Sequence, residues 1–350
     1  MHQAGTLFMI LLLHLPAWSR LAPYEQNPNC SVAYKNFNKR FKRLEQKYKK
    51  ISLAPVSDEN KPTWSWGTNH NAVYLLHGFI GSPEEMSNLA KKLEEEHYTV
   101  INDLIPGYGA DGFVANKFTP PSWVAHVEAN LHDIRQCFSA IHLVGFSTGA
   151  LLIHDYLRHH TDDFKPQGFI LYSPFYQPHL AFVGLLDSAA RLLTPIVLTK
   201  PLYFLTRFPD IRVAVLKPEN YLQELPLDGA SYVLKFGSEV SKEISQRPLA
   251  DDDTPVMLFV SDADQIMNLN VTLQNVSRDF SKLKIVRFHQ LGVPHHLMVS
   301  EVSPVADEVI RQSVDFIQSQ PIFYSSVEYK SRESALAVPS RNNQKASGGR

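Results

Sequence analysis

The residues that could do chemistry begin with one short run. Ile141-His142-Leu143-Val144-Gly145-Phe146-Ser147-Thr148-Gly149-Ala150-Leu151 reads as a buried strand that ends in Gly-x-Ser-x-Gly and passes at once into a helix. A serine in so sharp a turn stands clear of the strand ends only if the residues two before and two after it are small, as Gly145 and Gly149 are. Its hydroxyl then sits at the N-terminus of the next helix, where the dipole favours developing negative charge. That is a setting for a nucleophile attacking a carbonyl group. Gly-x-Ser-x-Gly alone arises by chance, and the competing reading is a glycine-rich turn with a structural serine. The apolar strand before it and the apolar helix after it make the pattern specific.

A second run fits the first. Val73-Tyr74-Leu75-Leu76-His77-Gly78-Phe79 is a strand ending in His-Gly. The loop after such a strand supplies one backbone N–H for the negative oxygen of a tetrahedral intermediate, and Gly78 lets the backbone come close. Phe79 N–H and Thr148 N–H are the expected pair of oxyanion donors. Removing one such donor typically slows acyl transfer by about two to three powers of ten. His77 reads as part of the turn, away from the reaction centre.

The elements around these runs alternate. Strands are expected over Ala72–Leu76, Tyr98–Ile105, Ala140–Phe146, Gly168–Ser173, Pro255–Ser261 and Lys284–His289. Helices are expected over Pro83–Glu95, Ser122–Phe138, Thr148–Arg158 and after His296. Short apolar strands alternating with helices predict an α/β fold, a mostly parallel sheet covered on both faces. The rhythm breaks after Ser173. From Pro178 to Thr206 the charges are Asp187, Arg191 and Lys200 alone, amid a crowd of Leu, Ile and Val. That predicts a helical insertion, residues 175–252, set between two halves of a core at 63–174 and 253–320.

The ends differ from the middle. Thr6–Leu13 is apolar and is followed by Pro16 and Ala17-Trp18-Ser19, so residues 1–19 resemble a secretory signal, although the start carries no Lys or Arg. An uncleaved interfacial anchor and a buried helix are the alternatives. Over residues 34–51, Tyr34, Phe37, Phe41, Leu44, Tyr48 and Ile51 recur at helical spacing among eight Lys and Arg residues. Such a helix either docks its stripe on the main domain with the charges in water, or lies on an anionic membrane surface. Residues 326–350 are polar and small and read as a disordered tail. These features leave the location open between secreted or periplasmic, membrane-associated, and cytoplasmic.

Composition excludes other classes. Thirty-four Lys+Arg against 35 Asp+Glu give a net charge of −1 over 350 residues, which argues against a nucleic-acid binder. Two cysteines make neither a disulfide framework nor a cysteine-rich metal site. Cys30 and Cys137 could pair in an oxidising compartment, but Cys137 lies on an apolar run, so a buried free thiol is the expectation. No metal-ligand cluster or cofactor motif stands out, and the chemistry above requires neither.

With these residues in view, the chain resembles the α/β-hydrolase family over about Asn71 to Gln318, and most of all its monoglyceride lipase and bacterial carboxylesterase branch. Pro106-Gly107-Tyr108-Gly109 is similar to that branch's Pro-Gly-His-Gly, with Tyr108 in place of the histidine. The resemblance implies the order nucleophile, acid, histidine. The family's Gly-x-x-Asp-x-Val pattern aligns with Ser261-Asp262-Ala263-Asp264-Gln265-Ile266 and points to Asp264, with Asp262 the other candidate. His296 is the implied base, because Glu301 lies five residues on as in similar lipases; His295 remains the alternative. His296 would then take the Ser147 proton, and Asp264 would fix and stabilise the imidazole. The expected activity is hydrolysis of small-molecule carboxylic esters or lipids with apolar acyl chains. Acyltransfer, thioester or peptide hydrolysis and a non-catalytic binding role on the same fold are the competing readings.

Overall fold

The computed structural model describes residues 27–53, 55–69, 71–160, 163–179, 199–201, 222, 224–249, 253–289, 299 and 303–320. The apolar start, most of the Pro178–Thr206 run, His295, His296, Glu301 and the 326–350 tail lie outside them.

The elements in chain order are α1 (Pro28–Tyr48), β1 (Thr63–Ser65), β2 (Asn71–Leu76), α2 (Ser87–Glu95), β3 (Thr99–Asp103), α3 (Gly112–Ala115), α4 (Pro120–Cys137), β4 (Ala140–Phe146), α5 (Thr148–His159), β5 (Gly168–Tyr172), β6 (Thr199–Pro201), β7 (Glu224–Pro226), α6 (Leu227–Gln246), β8 (Val256–Ser261), α7 (Leu269–Asp279), β9 (Leu283–Phe288) and α8 (Ala306–Ser319). Seven strands form one sheet in the order β1-β3-β2-β4-β5-β8-β9, parallel except for β1, which runs antiparallel to β3. Strands β2, β3, β4, β5 and β8 are buried along their whole length, as mostly apolar strands are when both faces are covered. Edge strand β9 is partly exposed and carries Lys284 and Arg287, charges that discourage further strand pairing.

Right-handed crossovers place the helices. The chain steps from β2 one way to β3, then back the other way through β4, β5, β8 and β9. Helix α2 therefore covers one face, with α8 packed on it, while α4, α5, α6 and α7 cover the other and contact one another in turn. Strand order reverses between β2 and β4, where Leu76 lies beside Gly145. A crevice opens at such a switch point, beyond the carboxyl ends of the strands.

Helix α1 starts six residues before the sequence-based boundary. Asn27 caps it and Pro28 occupies its first turn, a start signal that the aromatic periodicity did not include. Its buried face is Cys30, Ala33, Phe37, Leu44 and Tyr48, set against α4, while Tyr34 stays 39% exposed beside Trp64 and Trp66. Arg40 reaches Asp133 at 2.6 Å and Asn130 at 2.6 Å. Lys35, Lys39, Lys42, Arg43 and Lys47 face solvent.

The expected free thiol at Cys137 is incorrect. Cys30 and Cys137 form a disulfide, with Cα atoms 4.6 Å apart. The early start of α1 is the reason: its first turn runs along the end of α4 and brings two residues 107 apart in sequence into bonding range.

Beyond β5 the chain leaves the sheet. The described part of this excursion holds the two-stranded β6–β7 ladder and α6. Gly237 of α6 passes so close to the β5 exit that a methyl group there would stand 2.7 Å from the carbonyl oxygens of Phe175 and Tyr176. Among the described residues no helix is long and apolar enough to cross a membrane.

Candidate active site

Ser147 sits between β4 and α5 with φ 51° and ψ −111°, left-handed backbone that costs a non-glycine roughly 1–3 kcal/mol. The surroundings hold it there. Its N–H donates to the Tyr172 carbonyl at 2.8 Å, and its carbonyl accepts from Leu151 at 3.1 Å and Phe175 at 3.4 Å. Gly145 and Gly149 make the turn possible. A methyl on Gly145 would meet the Ala150 backbone at 2.4 Å, and one on Gly149 would meet the Leu76 and His77 carbonyl oxygens at 2.3 and 2.4 Å. Nothing but hydrogen fits at either position, so the glycines expected from the motif are required by close backbone contact.

Gly78 shows where the β2 loop goes. A methyl there would lie 3.2 Å from Cβ of Ser147 and 3.0 Å from the Phe146 ring. The backbone leading to Phe79 thus passes directly beside the serine. Phe79 N–H donates to no backbone carbonyl among the described residues. Thr148 is the first residue of α5, so its N–H has no carbonyl of the helix to reach. The two expected donors therefore flank Ser147, one from each side of the switch point.

Two buried side chains fix this loop. His77 accepts the Ile105 N–H on Nε2 at 3.0 Å, so its proton lies on Nδ1, which donates to the Gly78 carbonyl at 2.8 Å. Burial pushes its pKa down to about 4, and the ring stays neutral. The expectation of a turn-building histidine fits this geometry. Glu85, buried in the turn before α2, accepts the Gly78 N–H at 2.8 Å. Sequence reasoning missed Glu85. Its only signal was an acidic residue seven positions after the His-Gly pair, and nothing local shows that it turns inward.

Tyr108 is buried, edge-on to both His77 and Phe79 with ring centroids 5.8 Å away in each case. Its loop carries Gly107 and Gly109 at positive φ, and Tyr48 of α1 ties it down by accepting the Gly107 N–H at 2.5 Å and donating to the Tyr108 carbonyl at 3.1 Å. The insertion also returns here. Leu222 N–H donates to the Ile80 carbonyl at 2.8 Å, and a methyl on Gly229 would stand 3.6 Å from the Phe79 ring.

The two candidate acids are two residues apart and differ sharply. Asp264 is 5% exposed, and its Oδ1 accepts the N–H groups of Ile266 at 2.8 Å and Met267 at 3.0 Å. Asp262 faces out and is held by Arg287 and His289 of the edge-strand side, which keep its carboxyl below the usual range. Asp264 is thus the inward-facing acid after β8. The expected histidine, His296 or its neighbour His295, lies outside the described residues.

These features match known proteins. A 120-residue stretch is 31% identical to a thermostable monoacylglycerol lipase of Bacillus sp. (strain H-257), and it covers 34% of this chain and 45% of that one. The chain thus spans less than half the length of this curated relative. Among solved structures, one from work on the metagenome-derived lipolytic enzymes LipS and LipT superposes with a TM-score of 0.59 at 16% identity, over 75% of this chain and 99% of that one. A soluble variant of the Saccharomyces cerevisiae monoglyceride lipase, solved with a substrate analogue, superposes with a TM-score of 0.58 at 14% identity, over 77% and 97%. At such identities the likeness shows the fold. The profile of the family described as serine aminopeptidase, S33 (Hydrolase_4) matches residues 67–292, a span running from β2 past β9, and the chain belongs to that family of α/β-hydrolases.

Proposed function

We propose that the protein is a serine hydrolase that cleaves carboxylic esters with apolar acyl chains. The observation that carries this reading is the strained Ser147 turn with the Gly78 backbone against it. Ser147 Oγ attacks the ester carbonyl, and the oxygen that becomes negative is received by Phe79 N–H and Thr148 N–H. His296 takes the serine proton and returns it to the leaving alcohol, and Asp264 holds the imidazole in the right tautomer. Water then releases the acid from the acyl-enzyme. Ser147 is buried, so this charge develops in a site shielded from bulk water, where fixed donors act strongly.

Monoacylglycerols are the substrate class the Bacillus relative favours, and the apolar insertion 175–252 supports it as a cap over the site. The family's description as an aminopeptidase keeps peptide hydrolysis as the second reading. The test is Ser147→Ala, expected to lower ester hydrolysis by about three powers of ten or more with the melting temperature unchanged. Labelling of the wild type by a fluorophosphonate probe is expected alongside. Near-wild-type turnover in the variant, or faster release of N-terminal amino acids than of monoacylglycerol fatty acids, would overturn the reading. Asp264→Asn is expected to cost far more activity than Asp262→Asn, and the reverse would move the acid by two residues.

The disulfide supports an oxidising compartment, in keeping with the apolar Thr6–Leu13 segment. The solvent-facing cations of α1 support contact with an anionic lipid surface, where each is worth about 1 kcal/mol. Sedimentation with anionic against zwitterionic vesicles tests this; equal binding to both at low salt would remove the proposal.

A further inference from the structure

The far end of α5 carries a second group of chemistry-bearing residues, remote in sequence from Ser147. Asp155 and His159 lie one turn apart on α5, and Glu243 faces them from α6. One oxygen of each carboxylate and one ring nitrogen of His159 all lie within 4.8 Å of one another.

Asp155 is the unusual member. It is 7% exposed, and its carboxylate accepts no hydrogen bond among the described residues; His159 Nδ1 lies 3.8 Å from its Oδ1. A carboxylate of the neighbouring helix α7 shows the contrast. Asp279, also buried, is bonded by His154 at 2.9 Å, by Arg158 and by the Leu249 N–H at 2.9 Å.

His159 is prepared for a ligand. Its Nδ1 lies 2.8 Å from the Asp155 backbone carbonyl, which can only accept, so Nδ1 carries the proton. The Nε2 lone pair is left free, 3.7 Å from the Glu243 carboxylate. Ligands at about 2.0–2.2 Å from a tetrahedral zinc stand roughly 3.4 Å apart. A histidine whose other nitrogen donates to a carbonyl is the usual form of a metal-bound imidazole.

The surrounding charge is net negative. Asp155, Glu243 and the nearby Glu128 face Arg158, with His160 4.0 Å from Glu128. Arg158 approaches Glu243 at 3.5 Å, but its other contacts commit it to Asp279 and to the Arg247 carbonyl. One nitrogen and two carboxylate oxygens suit zinc better than magnesium or calcium, which take oxygen ligands throughout.

We infer that Asp155, His159 and Glu243 bind one divalent cation of the zinc class, which bridges α5 to α6 and staples the returning arm of the insertion to the helix that follows Ser147. Water completes the coordination shell, since His159 and Glu243 are open to solvent. The site takes no part in ester chemistry.

The test uses the full chain, freed of metal with a chelator and titrated with Zn²⁺ against a chromogenic chelator. The wild type is expected to bind one equivalent that is lost, or weakened by about tenfold or more, in His159→Gln and in Glu243→Gln. Zn²⁺ should raise the melting temperature of the wild type by several degrees and leave both variants unmoved. Co²⁺ should give a visible d–d band that disappears in His159→Gln. Glu243 is 40% exposed on its helix, so its variant folds even if a change at α5 disturbs packing. Zinc binding that is absent in the wild type, or that survives both substitutions unchanged, would overturn the inference. None of these readouts depends on hydrolysis, so the inference and the ester-hydrolase reading fail separately.

Discussion

The two ends of α5 solve opposite problems. At its N-terminus the chain is held by close backbone contacts: Gly145 and Gly149 leave no room for a methyl, and Ser147 accepts a strained φ because three backbone hydrogen bonds enforce it. At its C-terminal half the helix is held by side chains, with His154, Arg158 and Asp279 tying α5 to α7 and to the chain beyond α6. The first arrangement tolerates no change of shape and places one oxygen. The second tolerates shape but needs matched charge, and it anchors a segment that arrives from far along the chain. Placement of the Ser147 side chain rests on steric exclusion at one end, and attachment of the insertion rests on buried electrostatics at the other.

Breaking the rigid end should have the largest effect on activity. Gly149→Ala puts a methyl about 2.3 Å from a carbonyl oxygen, so the turn must open. Activity should vanish, and stability should fall by about 3 kcal/mol, the upper part of the overpacking range. Urea unfolding together with ester turnover measures both. Retained activity would show that the turn is less constrained than these contacts imply.

The charged end comes next. Asp279→Ala leaves Arg158 buried without its carboxylate, and losses of about 3–5 kcal/mol are typical of half-broken buried pairs. If Asp279 mainly secures α6 and α7, proteolysis near residues 247–249 should increase before Ser147 loses its reactivity toward a fluorophosphonate. Simultaneous loss of both would mean that the two ends of α5 are one cooperative unit.

A third region sharpens the comparison because it is covalent. The disulfide closes a loop of 107 residues that runs from α1 to α4. Its reduction should lower stability by about 2–4 kcal/mol. Since α1 also holds the Tyr108 loop through Tyr48, reduced protein should show weaker substrate binding before it shows a lower kcat.

The smallest effect is on acid stability. Asp103 and Asp279 are desolvated, which raises a carboxyl pKa, yet histidine partners and hydrogen bonds hold both below the ordinary 3.8. Carboxyls with lowered folded pKa values stabilise the protein above the unfolded value, and this contribution is lost as pH falls through the folded value. Melting temperature should therefore hold down to about pH 4 and drop below it. Asp103→Asn and Asp279→Asn should each flatten that drop.

Much of the fold was legible in the sequence because period and punctuation are local. The apolar runs ending in Gly-x-Ser-x-Gly and His-Gly located β4 and β2, and strand–helix alternation foretold the parallel sheet. β1 was not foreseen: three residues carry too little pattern, and pairing with β3 alone makes Thr63–Ser65 a strand. Helix α7 was missed because its buried face includes Thr272, Asn275 and Asp279, polar residues that serve as packing only once their partners are present.

The sequence by itself determined the Ser147 turn, since glycine spacing and a strand-to-helix switch act over a few residues and need no distant partner. It also narrowed the acid to Asp262 and Asp264. Tertiary structure decided which of these faces inward, that Cys30 meets Cys137, that Glu85 anchors the Gly78 loop, and that Glu243 meets Asp155 and His159. Each of these depends on which surfaces the sheet brings together, and burial and charge matching are properties of the assembled fold that no local pattern encodes.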